Sequence, residues 1–293
     1  MRFTEIGQQL RAYRLESGLR AEEIAARLGV SRAALYRYEK GEVIKLDTIQ
    51  RLAELLKISP LSLLGIGVEY YNRPVGYFER VRQIEETSEQ ILQVSGAMCY
   101  LTSNDGFDQA FSGALDEMIE ASTGDRLQLR AAADQVLGLQ SARKRMYGMR
   151  RPSIIAIFPA PRLRAFLESG VGASLPLGER ARRAARDAAA AEVEAIANIM
   201  ESEPIGLQFG FLPAGEPTGG FKILRARDRA TLAVNPFQPD ANPVGASGVA
   251  MITAAEEAIG PHQRMAEALW RESLKGTAAA AKVRELIAAH RQA

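Results

Sequence analysis

The residues best equipped for chemistry lie at Val30–Gly41, "VSRAALYRYEKG", where two arginines, two tyrosines and a lysine fall within nine positions. A guanidinium donates hydrogen bonds in a planar fork, an ammonium acts as a point charge, and tyrosine joins an apolar ring to a hydroxyl. Such a set can read a partner or simply keep a surface helix soluble, and the neighbouring elements decide between the two. Elsewhere reactive groups are sparse. The one cysteine, Cys99, excludes an internal disulfide, and with only His262 and His290 beside it the ligands of a zinc or thiolate cluster are missing. Any metal site would have to be all-oxygen; neither a metal nor a cofactor is expected. Cys99 sits in "SGAMCYLTS" and reads as a buried structural thiol. His262 follows Pro261 at an expected helix start with no nucleophile or carboxylate arranged around it, so it reads as structural. A phosphate-binding loop with Lys-Ser/Thr, a Gly-x-Ser-x-Gly elbow and a His-x-Lys pair are all absent, and no enzyme is expected.

The elements that must position the Arg and Tyr residues are short helices. Ile6, Leu10, Tyr13 and Leu15 give the stretch before Gly18 one apolar face. A second helix runs from Ala21 to Leu28 and stops at Gly29, a residue that accepts the left-handed C-cap conformation. Ser31 then caps a third helix, Arg32 to about Glu39, because its hydroxyl can accept an orphan first-turn amide. Two helices joined by Gly29, Val30 and Ser31 make a helix-turn-helix. A further helix, Leu46 to Lys57, repeats Ile49, Leu52, Ala53, Leu55 and Leu56 before Pro60.

Together, "IGQQLRAYRLESGLRAEEIAARLGVSRAALYRYEKGEVIKLDTIQRLAELLKIS" resembles the DNA-binding domain of the Cro/CI repressor (XRE) family over residues 5 to about 64. The turn glycine, the "VS" helix start, "YEKG" and the closing "LAELL" fall at that family's spacing. The resemblance implies a lambda repressor-like, all-α domain that binds double-stranded operator DNA, with Arg32, Ala33, Tyr36 and Arg37 facing the major groove. It places Ser31 at the start of the reading helix, and Lys40 and Lys45 beside backbone phosphates. Arg32, at the helix N-terminus, would read guanine O6 and N7. The familiar ion pair between first and third helices maps to Arg14 and Glu39. Where the family often opens the second helix with a phosphate-clamping Gln, this chain has Ala21, and Arg20 stands in through charge.

Residues 1–68 carry 11 Lys and Arg against 8 Asp and Glu, a mild basic excess, so DNA binding has to come from placed side chains rather than bulk charge. With no signal-like N-terminus and no apolar run long enough to cross a bilayer, a cytoplasmic protein without a membrane partner is expected. At 293 residues the chain has room for about two domains. We read residues 1–66 as the helix-turn-helix domain, 67–76 as a linker marked by Gly67, Asn72 and Pro74, and 77–293 as a mixed α/β regulatory domain. The period predicts one long helix over Tyr77–Val94, and further helices over Phe107–Ala121 and from Leu127 through the basic run Arg143, Lys144, Arg145, Arg150, Arg151, read as a solvated helix end. Strands are expected in "SIIAIFPA", "IGLQFGFLP", "GGFKILRAR", "RATLAVNPF" and "GVAMITA", with helices over Arg162–Ser169, Glu179–Glu201 and Pro261–Lys275.

The order of these elements also resembles, faintly, the regulatory domain attached to similar repressor-like domains in actinobacterial regulators. The expectation is a dimeric transcription regulator, a repressor, whose C-terminal domain pairs two copies and senses a small-molecule effector. The alternative is a C-terminal domain that docks a protein partner. Phe209, Phe221, Asn235, Phe237 and Trp270, near strand ends, are the candidate effector-binding residues.

Overall fold

The computed structural model of the chain describes residues 3–292, apart from 95, 216, 218, 240, 241 and 243–247. The amino-terminal part is helical: α1 (Phe3–Ser17), α2 (Ala21–Leu28), α3 (Arg32–Glu39), α4 (Leu46–Leu56) and α5 (Pro60–Leu63). Its local signals act as expected. Gly29 stops α2 at φ +70°, where its N–H reaches the carbonyls of Ala25 and Ala26. Leu10, Ile24, Leu35 and Leu52, none of them exposed, meet at the centre of the bundle. The approach of α1 to α3 is so close that a Cβ built on Gly7 would stand 2.5 Å from the Tyr38 carbonyl oxygen.

The rest of the chain builds one mixed sheet with helices around it. In chain order come β1 (Val68–Tyr71), α6 (Pro74–Glu85), β2 (Gln90–Val94), α7 (Asp105–Ala121), α8 (Arg126–Arg150), β3 (Ser153–Pro159), α9 (Ala160–Ser169) and α10 (Glu179–Ser202). They are followed by β4 (Leu207–Leu212), β5 (Phe221–Arg225), β6 (Ala230–Val234), β7 (Ala250–Thr253), α11 (Glu256–Glu272) and α12 (Gly276–Gln292). Strand order is β1-β7-β6-β5-β2-β3-β4. The β2, β3 and β4 neighbours are parallel, their crossovers carried by α7 to α10, and the remaining pairs are antiparallel. Alternation divides the side chains: Leu92, Val94, Ile157, Ile223 and Leu232 pack under α11, while Ile91, Ile154, Ala156, Phe158 and Leu224 face the larger helical layer.

Four expectations change. The helix predicted over Tyr77–Val94 ends at Glu85. The hydroxyls of Thr87 and Ser88 donate to the Ile84 carbonyl at 3.2 and 2.8 Å, closing the last turn, and Ile91–Val94 then pairs with β3 on one side and β5 on the other. The stretch read as a linker contains β1, an edge strand in register with β7, and Pro74 opens α6. Glycine and proline do turn the chain there, but Glu69 and Tyr71 between them point inward and are buried. Arg143, read as part of a solvated helix end, is 1% exposed and forms a bidentate ion pair with buried Glu85 at 2.8 and 2.7 Å. Its neighbour Lys144 pairs with Asp108 at 2.5 Å. Finally, Pro261 lies inside α11 rather than at its start.

The helical bundle and the sheet domain share one apolar cluster, continuous from Ile6 and Leu10 through Tyr71 and Val81 to Ile154. Along that seam α1 is bonded to β1 and α6. Tyr13 stacks on Tyr71 with ring centres 5.3 Å apart. Glu69 receives bonds from Gln9 (2.6 Å), the Tyr71 hydroxyl (2.8 Å) and both arms of Arg80 (2.9 and 3.0 Å). Glu16 accepts from the amides of Asn72 (2.6 Å) and Arg73 (3.1 Å) at the start of α6, and Arg11 reaches Glu79 at 2.7 Å.

Candidate nucleic-acid interface

The turn between α2 and α3 is assembled from local bonds. Ser31 accepts the Ala34 amide at 3.1 Å and starts α3, and the Arg51 guanidinium donates to the Leu28 carbonyl at 3.0 Å, capping the end of α2. Ala34 and Leu35 bury one side of α3. Glu39 is held by Arg14 through two bonds, 2.5 and 3.1 Å, so this pair locks the angle between α1 and α3. That arrangement leaves Arg32, Ala33, Arg37 and Lys40 exposed on the outer face, with Tyr36 half-buried among them and Ser31 exposed at its edge. Arg20, before α2, and Lys45, before α4, are exposed as well.

Sequence reasoning missed how the two arginines on this face are held. Arg32 pairs with Glu22 of α2 at 2.7 Å, donates to the Tyr36 hydroxyl at 3.3 Å and lies 5.3 Å from the Tyr36 ring centre. Arg37 pairs with Glu42 at 2.6 Å. These exposed ion pairs cost little to open, so each guanidinium can exchange a carboxylate for a phosphate or a base edge. Until then they hold both side chains extended along the surface. Glu22 and Glu42 sit ten and five residues away, too far apart in sequence to be recognised as partners without the turn geometry. Val43 and Leu46, flanking Lys45, are 65% and 76% exposed, an apolar edge suited to sugar or thymine-methyl contact. Arg20 carries no such partner geometry: its backbone amide donates to Glu23 at 2.8 Å, and its own guanidinium lies 3.9 Å from that carboxylate.

The bundle, its turn and this cationic face define a helix-turn-helix protein. Residues 5–63, about a fifth of the chain, match a protein family described as a helix-turn-helix domain, and DNA binding is the activity that this domain supports. Among curated proteins, none matches the chain. No helix among the described residues is long and apolar enough to cross a membrane.

The five candidate effector residues are not brought together. Phe221, Asn235 and Phe237 border a cavity of about 360 Å³ beneath α6. Asn235 accepts the Phe237 amide at 2.8 Å and donates back to the Phe237 carbonyl, a local turn rather than a free amide. Phe209 instead packs edge-on against Phe158 with ring centres 5.0 Å apart. Trp270 carries Lys275 4.8 Å from its ring centre and borders, with Phe209, a separate hollow beside Glu203–Phe209. His262 packs against Phe221 at 4.8 Å and bonds the Ala258 carbonyl at 2.8 Å, a structural placement. Cys99 is buried, and burial pushes its thiol pKa up.

Proposed function

We propose that the chain is a sequence-specific transcription regulator of the Cro/CI type, a non-enzymatic repressor that binds double-stranded operator DNA in the cytoplasm as a homodimer. Its sheet domain responds to a small-molecule effector. The observation that carries this reading is the outer face of α3: Arg32, Ala33 and Arg37 are exposed there, with Tyr36 half-buried among them, on a helix whose start and tilt are set by Ser31 and by the Arg14–Glu39 pair. Dimerisation follows from energetics. A single module of this size buries too little surface for operator-level affinity, whereas two copies can read half-sites about 34 to 36 Å apart. The cavity beneath α6 supports a small ligand over a protein-docking surface.

Gel-shift titrations with a selected operator fragment and a scrambled one test this. Arg32→Ala should lose discrimination between the two, at a cost of about 1 to 3 kcal/mol at one base step. Lys40→Ala should weaken both equally and flatten the salt slope by about one. Equal binding of both fragments by the parent, or binding of neither, overturns the reading.

A further inference from the structure

The cavity beneath α6 lies at the carboxyl ends of β2 and β3, where open α/β sheets hold ligands, and is bordered by Val94 and by Arg162 of α9. Its size suits a small organic molecule. Much of its wall is aromatic: Tyr77 meets Phe78 at 5.5 Å and Phe237 at 6.0 Å.

Two polar groups in this wall, one buried and one half-buried, have no hydrogen-bond partner among the described residues. The Tyr77 hydroxyl is buried and has no hydrogen-bond partner among the described residues. Lys222, on β5, borders the same cavity, and among the described residues its ammonium makes no hydrogen bond or ion pair. Glu85, the carboxylate whose charge acts on Lys222, is already bound by Nε and one Nη of Arg143, whose other Nη binds Gln140 at 2.6 Å. Arg143 is therefore charge-balanced and Lys222 is not. An uncompensated ammonium against aromatic walls is costly, and a donor without an acceptor adds to that cost. The desolvating walls, and repulsion from Arg143, push the Lys222 pKa down.

We infer that this cavity binds a small organic monoanion, a carboxylate on a flat apolar body, with Lys222 as its counter-charge and the Tyr77 hydroxyl as a hydrogen-bond donor. The inference rests on the reading of the sheet domain as the effector-sensing part. It also gives that reading a physical route. Tyr77, Phe78 and Val81 line the cavity on one face of α6, while Gly76, Glu79, Arg80 and Gln83 on its other face contact α1 or bond the seam against it. A ligand pressing on α6 is one helix away from the DNA-binding bundle.

Thermal shift of the intact chain tests the site, with benzoate, phenylacetate and cinnamate as probes against benzamide, benzylamine and inorganic phosphate. The aromatic carboxylates should raise the melting temperature and the neutral, cationic and phosphate probes should not. Lys222→Met should melt higher than the parent without probe, because an unpaired ammonium is gone, and should lose the response. Tyr77→Phe removes a buried hydroxyl that has no partner among the described residues, so it should melt no lower than the parent does and bind about tenfold more weakly. No response to any carboxylate, an equal response to benzamide or phosphate, or a retained response in Lys222→Met overturns the proposal. Carboxylate binding that leaves operator affinity unchanged upholds the site and overturns the sensor reading instead, so the two fail separately.

Discussion

Single residues in this chain show how context sets charge. Glu192, on α10, is buried, and its carboxylate accepts the Asn104 amide (3.0 Å) and the Asn104 side chain (2.8 Å) where α7 begins. Burial, opposed by those bonds and by Lys144, raises its pKa to about 7. A carboxyl whose pKa is raised on folding favours the folded state most at low pH. Its penalty grows as pH rises from the unfolded value near 4.5 and is complete above about 7. At about 1.4 kcal/mol per pKa unit the cost reaches about 3 to 4 kcal/mol. Glu192→Gln keeps an acceptor for Asn104 without the charge. It should match the parent in urea denaturation at pH 4 and exceed it at pH 8, and an equal difference at both pH values sinks the argument. Arg143 makes the complementary point. Burial opposes the charge of Glu85, yet Arg143 holds that carboxyl below its ordinary pKa, so the pair stays ionised inside the protein.

At the scale of elements, what orients the reading helix is the contact of α1 with α3. Gly7 permits it: a Cβ there would stand 2.5 and 2.6 Å from the carbonyl oxygens of Tyr38 and Glu39. Gly7→Ala gains up to about 1 kcal/mol of helix propensity but forces α1 away from α3, for which about 1 to 3 kcal/mol is the usual cost. Gly113, inside α7 with nothing within 4 Å of an added Cβ, is the control, and Gly113→Ala should stabilise. Chemical denaturation should show a loss for the first and a gain for the second, with operator affinity reduced only for Gly7→Ala. Gains from both would mean that α1 and α3 are not tightly apposed. The same scale explains which elements were legible. Gly29, Ser31 and the period of α4 are local instructions, and they place α2 to α4 where the sequence predicts them. "QILQV" carries no such instruction: its apolar residues continue the rhythm of α6, and only pairing on both edges makes it a strand.

The whole molecule behaves as a joined body because the seam between bundle and sheet is both apolar and ionic. Glu69 and Arg80 are almost fully buried there, so removing one partner strands the other's charge, at about 3 to 5 kcal/mol. Hydrogen exchange under increasing denaturant should therefore find amides of α1 and α4 opening together with those of β2 and β3. In Glu69→Ala the helical bundle should open first. Exchange in α1 and α4 far ahead of the sheet in the parent would show that the seam is weak. A bundle held this way cannot swing on a tether. If two copies pair as proposed, the separation of their α3 helices would follow from how the sheet domains are arranged.

The sequence by itself determined the helix-turn-helix, because its caps, turn glycine and short-range apolar period act over a few residues, and the Arg14–Glu39 pair was legible through family resemblance. The outward set of Arg32, Ala33, Tyr36, Arg37 and Lys40 follows once α3 is placed. Tertiary structure alone decided that residues 67–76 hold an edge strand instead of a linker, that Arg143 is buried and Lys222 unpaired, and that Phe209 and Trp270 lie apart from Phe221 and Phe237. Each of these depends on partners tens of residues away. Charge balance and cavity walls are sums over such partners, which no local pattern records.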